Sequence, residues 1–260
     1  TSMSSLADEV YSPGKLYYYP ISSWCNCDIN KMLDLGYPRN DYFFQPLNRK
    51  QIEFKKAYKF ENYKKIALWM PTFRRSAKSD LDESYFNSST GLPIVIDETS
   101  LTIFDEFLKN EKILCFFKIH HLQAELKAFK KKFSNICILN DNNIHEYGIQ
   151  LYQFIMLTDL LITDYSSIST DYMLLDRPII YTMDDYEQYR NSRGFSVENP
   201  KKYFVGYHVY NQEELQNALH KCCNENDIYK EDRNAIIHEM HTHVDGNSAK
   251  RILDHLSISL

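Results

Sequence analysis

The sequence predicts an α/β fold: a parallel sheet with helices on both faces. Short, nearly all-apolar runs alternate with stretches in which apolar residues recur at helical spacing. Each run also hands off to polar residues at its C-terminal end, where open α/β sheets bind their ligands.

The elements follow in order. Residues 1–45 form a separate compositional block with the run Tyr17-Tyr18-Tyr19-Pro20, closing on Gly36-Tyr37-Pro38-Arg39-Asn40-Asp41. Gly36 suits the C-cap of a helix over 28–35, and Pro38 forces an extended exit. Residues 46–65 read as a charged linker or solvated helix. Residues 66–260 then form the main lobe. Its first strand, 66–70, is stopped by Pro71. A helix over 100–110 places Leu101, Phe104, Phe107 and Leu108 on one face, and a second strand covers 113–117. Residues 122–133 have the pattern of a basic amphipathic helix, which suits a solvated face or an anionic membrane surface. A third strand spans 136–139, a short helix 150–157, a fourth strand 160–163 and a fifth 178–181. Helices over 211–223, 229–239 and 248–256 close the chain.

Composition narrows the function. Hydrophobic content of 43% and charged content of 25% fit an ordinary globular protein. A net charge of −5 argues against a general nucleic-acid binder. With only 7 glycines, a long glycine-rich phosphate loop is not available, so a phosphate site must rest on helix starts and basic side chains. No apolar run approaches the roughly 20 residues needed to cross a bilayer. The polar start lacks the apolar stretch of a secretory signal, so a cytoplasmic protein is expected. The six cysteines form no CxxC pair and read as reduced and structural.

The most informative segment is LITDYSSIST, residues 161–170. A buried strand ends at Asp164, and a helix resumes after Ser166 and Ser167. Unpaired N–H groups and the helix dipole at such a start favour phosphate. From the junction alone, the simpler reading is that Ser166 or Ser167 only caps the helix. The other strand ends lead to Arg74 and Arg75, to Lys118, His120 and His121, to Asn140 and Asp141, and to Asp184 and Asp185. Arg74, Lys118, His120 and a serine-headed helix would together suit a diphosphate. The two adjacent histidines should point to opposite sides of an extended segment. His238, His241 and His243 lack the spacing of HExxH and read as surface histidines ending a helix. No metal site or resident cofactor is expected, with a divalent-cation requirement left open.

The stretch TDYSSISTDYMLLDRPIIYTMDDYEQYRNSRGF, residues 163–195, resembles the CDP-glycerol glycerophosphotransferase family of teichoic-acid and capsule polymerases and primases. GYPRND, MPTFRRS, FKIHH and HVDGNSAKRI support the resemblance in order and spacing, over roughly residues 30–255. It implies a GT-B-like architecture, of which this chain would be mainly the Rossmann-like, donor-binding C-terminal lobe. Residues 1–45 would then be the end of the N-terminal lobe. It further implies that Ser166 and Ser167 bind the donor pyrophosphate and that His120 sits at the transferred phosphate. Arg74 and Lys118 would neutralise charge there. Asp164 is expected to bind substrate beside the serines, Asp171 at the donor or at the lobe interface, and Arg193 and Gly194 along the site. There are two departures. The chain carries no HGTPLK-like motif, and Val205-Gly206-Tyr207 stands where many members have a PGP-like element.

The expected activity is transfer of a polyol phosphate from CDP-glycerol, or another CDP-polyol, to a hydroxyl of a growing cell-surface polymer or a lipid-linked acceptor. The enzyme could contact the inner face of the membrane peripherally. Two alternatives are a GT-B glycosyltransferase using a nucleotide sugar and a noncatalytic nucleotide-binding or scaffold fragment of a longer polymerase.

Overall fold

The computed structural model describes residues 7–73 and 88–258. Its centre is a six-stranded, wholly parallel sheet. Two two-residue strands near the start, β1 (Val10–Tyr11) and β2 (Met32–Leu33), form a separate parallel pair. The sheet strands are β3 (Lys65–Trp69), β4 (Ile113–Phe117), β5 (Ile136–Ile138), β6 (Leu160–Thr163), β7 (Ile179–Thr182) and β8 (Tyr207–Val209). They lie in the order β5-β4-β3-β6-β7-β8. From β3 the chain winds outward through β4 and β5, then returns to the middle and winds the other way. This is the doubly wound nucleotide-binding order, and its switch point lies between β3 and β6.

Side chains alternate across the sheet as a strand period of two requires. Ile66, Leu68, Leu114, Phe116 and Leu161 face one core, while Ala67, Trp69, Cys115, Phe117 and Ile162 face the other. The second core is covered by α3 (Glu98–Glu111) through Leu101, Phe104 and Leu108, and by α9 (Gln212–Asn224) through Leu215 and Leu219. The first is covered by α2 (Arg49–Ala57) through Phe54, α6 (Leu151–Ile155) through Phe154 and Ile155, and α10 (Lys230–Met240) through Ile237 and Met240. Each such aliphatic or aromatic side chain contributes about 1.5–3 kcal/mol when fully buried. The expected strands and covering helices thus form. Residues 49–57 are a packed helix as well as a charged one, because Gln51 and Phe54 turn inward.

Residues 7–45 carry α1 (Tyr18–Cys25) and a 3-10 segment over Pro38–Phe44, and they pack onto the main lobe. The GYPRND and HVDGNSAKRI segments meet in one joint. Asp41 accepts the N–H groups of Ser248 and Ala249, the first residues of α11 (Ser248–His255), at 2.9 and 2.8 Å. The Arg251 guanidinium donates to the Leu35 carbonyl at 3.1 Å and to Asp245. Gly36 sits at φ +84°, and a Cβ there would come within 2.5 Å of the Ser248 hydroxyl. Backbone conformation and close approach both require glycine.

Several local expectations are corrected. Residues 28–35 are not a helix: Asp28 caps a 3-10 turn over Ile29–Lys31, and Met32 turns extended to pair with β1. Strand pairing overrides the weak helical pattern. Residues 122–133 are not one helix either. The chain forms α4 (His121–Ala124), turns extended at Leu126, and re-enters a 3-10 turn that buries Ala128 and Phe129. Strand β8, and the helices α5 (Asp141–Glu146) and α8 (Tyr186–Ser192), are additional elements. His241 is buried rather than on the surface, with Nε2 2.9 Å from the Thr170 carbonyl.

Candidate functional site

Strands β3 and β6 end side by side at the switch point, and Asp164 ties the two ends together. Its carboxylate accepts the Thr72 N–H at 2.9 Å, the Thr72 hydroxyl at 2.8 Å and the Ser166 N–H at 3.1 Å. Asp164 is fully buried. A carboxylate that accepts backbone N–H groups from both strand ends fixes the floor of the crevice. It is the spacer on which the serine turn rests.

Ser166 is half-buried and Ser167 exposed, immediately before α7 (Ile168–Tyr172). Ser167 occupies the cap position but its side chain makes no cap hydrogen bond. The geometry therefore differs from the reading in which a serine hydroxyl simply closes the helix. Ser169 instead turns back to the Ser166 carbonyl at 3.0 Å, which tightens the turn. Both serines line a pocket of about 150 Å³ whose walls include Tyr165, Tyr189, Phe195 and Gly194. Tyr165 packs on Tyr189 and Phe195, with centroids 4.4 and 5.4 Å away, and its hydroxyl donates to the buried Asp185 at 2.8 Å. Gly194, at φ +71°, follows the end of α8 and donates to the Tyr189 carbonyl at 3.0 Å. It ends the helix so that Phe195 can fold back onto the aromatic wall.

At the neighbouring strand end, Lys118 follows β4 directly, and its N–H donates to the Trp69 carbonyl at 2.9 Å. His120 is the N-cap of α4, with Nδ1 accepting the Leu122 N–H at 3.3 Å. The rings of His120 and His121 lie against each other, centroids 4.2 Å apart and planes tilted by 34°, rather than on opposite sides. The helix starts between them, so the extended-chain alternation does not apply. The Phe73 ring also packs against His120, with centroids 4.2 Å apart. His120 is exposed, and the small desolvation it meets, together with the nearby His121 and Lys118 side chains, shifts its imidazole below its ordinary value. Arg193 reaches across to the Phe73 carbonyl at 3.4 Å, linking the pocket wall to the histidine.

Among the residues expected from sequence, Lys118 and His120 thus follow β4, Ser166 and Ser167 follow β6 above Asp164 with β3 between the two strands, and Gly194 lines the serine pocket with Arg193 beside it in the chain. Arg74 lies outside the described residues, as do Arg75 and Ser76. Asp171 is absent from the pocket lining; its buried carboxylate instead meets Asn40, Tyr152 and the partly exposed Arg39. Of the remaining strand-end residues, Asn140 caps α5 and Asp184 accepts the Ile94 N–H at 3.2 Å. Sequence reasoning did not assign the aromatic wall or the partners of Asp171. The adjacency Arg39-Asn40-Asp41 within a motif was the available signal. Among the described residues, no three His, Cys, Asp or Glu side chains lie together as a metal site, and no helix is long and apolar enough to cross a membrane.

With this geometry in hand, comparison with known proteins is direct. The sequence pattern of the family described as CDP-Glycerol:Poly(glycerophosphate) glycerophosphotransferase matches residues 3–257. The teichoic acid poly(glycerol phosphate) polymerase of Bacillus spizizenii is 32% identical over 234 residues, which are 86% of this chain and 52% of that protein. The teichoic acid glycerol-phosphate primase of Bacillus subtilis is 28% identical over 225 residues, 86% of this chain and 51% of that protein. The chain therefore spans about half the length of these relatives. A structure of the wall teichoic acid polymerase TagF, soaked with CDPG, superposes with a TM-score of 0.73 at 23% identity, covering 98% of this chain and 58% of that one. A UDP-GlcNAc 2-epimerase of Methanocaldococcus jannaschii superposes at 0.53 with 17% identity, covering 97% of this chain and 61% of that one. At these identities the two structures attest the fold.

Proposed function

The chain belongs to the CDP-glycerol:poly(glycerophosphate) glycerophosphotransferase family, and from that premise we propose that it is the donor-holding lobe of a polyol-phosphate transferase. The donor is CDP-glycerol or a related CDP-polyol, and the acceptor is a hydroxyl of a growing cell-surface polymer or its lipid-linked start. The observation that supports the reading is the arrangement about the β3/β6 switch point. Lys118 and His120 follow β4, the serine pair follows β6 above a buried Asp164, and the chain leaving β3 between them touches both, through Phe73 at His120 and Thr72 at Asp164.

The chemistry follows from these groups. The acceptor oxygen attacks the phosphorus that carries the polyol, a new P–O bond forms, and the bond to the bridging oxygen breaks, so that CMP leaves. Charge builds on the equatorial and leaving oxygens. Lys118, Arg193 and the serine turn supply positive charge and donors there, joined through the resemblance by Arg74. The acceptor proton needs a base, and a neutral His120 is suited to take it. Protein groups alone can do this charge work, and activity after chelation with EDTA tests whether a divalent cation takes part. Such an enzyme would work on the cytoplasmic side, with the basic stretch over 127–132 suited to an anionic membrane surface.

Calorimetry with CDP-glycerol, CDP-ribitol, CMP and UDP-sugars tests the reading. Selective binding of cytidine diphosphate compounds supports it, and no binding of any cytidine nucleotide removes it. Product analysis separates the rivals: a phosphodiester marks this transferase and a glycosidic bond a sugar transferase. Binding without turnover marks a lobe that holds the donor only.

A further inference from the structure

Asp171 sits on the helix that follows the serine turn, yet it faces the other way. Its side chain is 3% exposed. Oδ2 accepts Arg39 Nε at 3.1 Å, Arg39 Nη2 at 2.9 Å and the Tyr152 hydroxyl at 2.6 Å, and Oδ1 accepts Asn40 Nδ2 at 2.9 Å. Four hydrogen bonds are about what two carboxylate oxygens hold. A ribose or polyol hydroxyl would find neither access nor an acceptor.

Helix α7 has five residues, and so short a helix does not hold its own orientation. Its anchors are tertiary. Besides the Asp171 cluster, the Thr170 hydroxyl lies 3.1 Å from the Tyr17 hydroxyl, and the Thr170 carbonyl 2.9 Å from His241 Nε2. Residues 17, 39 and 40 all belong to the N-terminal block. Charge matters as well. An unpaired carboxylate in the first turn after the serines would repel a diphosphate, and Arg39 cancels it. The guanidinium is itself held between Tyr37, 4.1 Å from its ring centroid, and Tyr152, at 5.4 Å.

We propose that Asp171 is a positioning residue: it does not touch the donor, but locks the serine turn to the N-terminal block through Arg39, Asn40 and Tyr152. This rests on the reading of Ser166 and Ser167 as donor-phosphate ligands. Its consequence is that residues 37–40 set the donor affinity of a site they do not line.

The test uses the full chain carrying Arg39→Gln, Asp171→Asn, Tyr152→Phe or the Arg39→Gln/Asp171→Asn pair. Folding is checked by thermal melting. CDP-glycerol is titrated into each variant, and amide hydrogen exchange of segment 164–172 is followed without ligand. Arg39→Gln should weaken CDP-glycerol binding by about tenfold, because it leaves a buried carboxylate unpaired beside the diphosphate. The double variant, which removes that charge, should bind more tightly than Arg39→Gln alone. Exchange over 164–172 should quicken in the single variants more than in the rest of the chain. Should Asp171→Asn or the double variant fail to fold, Arg39→Gln and Tyr152→Phe carry the test. Loss of binding in Asp171→Asn alone, with Arg39→Gln unaffected and local exchange unchanged, would make Asp171 a donor ligand and overturn the proposal. If the wild-type chain binds no cytidine nucleotide, the donor reading fails and exchange still decides: quickened exchange supports the lock, and unchanged exchange overturns it.

Discussion

Asp41 caps the last helix from 207 residues away, accepting the Ser248 N–H at 2.9 Å through one carboxylate oxygen and the Ala249 N–H at 2.8 Å through the other. Two motifs at opposite ends of the chain are the two halves of one joint. Asp41→Ala should lower stability by about 1–2 kcal/mol in urea unfolding, as loss of a buried helix cap does. Asp41→Asn should cost less, since its carbonyl oxygen still accepts one N–H. A cost within error for Asp41→Ala would mean that the joint is held by packing and by Arg251.

Asp164 plays the corresponding part at the switch point. Replacing it with alanine leaves the Thr72 N–H and hydroxyl and the Ser166 N–H without their buried acceptor. The expected cost is about 2–4 kcal/mol, read from the shift in denaturation midpoint at constant m-value. Nucleotide affinity should fall with it, because the serine turn loses its floor.

The serine pair makes a sharper statement about ligand. Ser166→Ala combined with Ser167→Ala should weaken CDP-glycerol binding by at least about 1 kcal/mol, with little change in melting temperature. Neither hydroxyl carries the fold, given that the Ser167 side chain makes no cap hydrogen bond. Unchanged affinity would reduce the turn to a helix start and nothing more.

His241 supplies a pH prediction. Burial pushes its imidazole below the ordinary value of 6.5, with the Thr170 carbonyl only partly offsetting this. The folded state therefore binds the proton less readily than the unfolded chain. Stability is fully present above about pH 6.5 and declines as pH falls from there through the lowered folded value. His241→Gln should flatten the His241 part of that decline in melting curves between pH 7 and 5. An unaltered pH profile would assign the acid sensitivity to other groups.

Much of this was legible in the sequence because burial on both faces of a parallel sheet leaves an unmistakable apolar run. Residues 113–117 and 160–163 are strands to the residue. Helix starts were legible only to within a few residues: the helix expected from residue 100 begins at Glu98 behind the cap Asp97, and the one expected from 211 uses Asn211 as its cap. What escaped depended on contacts far apart in sequence. Strand β8 is three residues long and half-buried at Tyr207 and His208, so its pattern carries little signal. Met32 goes extended only because Val10 lies beside it. The helical pattern over 122–133 yields at Leu126 because Phe129 gains more by entering the core than by continuing the helix. At the site, strand ends and the serine turn could be read from residue order. The ring contact of His120 with His121 and the partners of Asp171 could not, since both depend on where helices start and what packs behind them.

The central claim is the location of a diphosphate at the ends of β4 and β6, on either side of β3. Amide chemical-shift mapping on adding CDP-glycerol to the labelled chain tests it most directly. The largest shifts should fall on Lys118, His120, Ser166 and Ser167, with none at Arg233 and the two carboxylates paired with it, Asp176 and Asp227. Shifts centred on that second cluster, with the serine turn silent, would contradict the account.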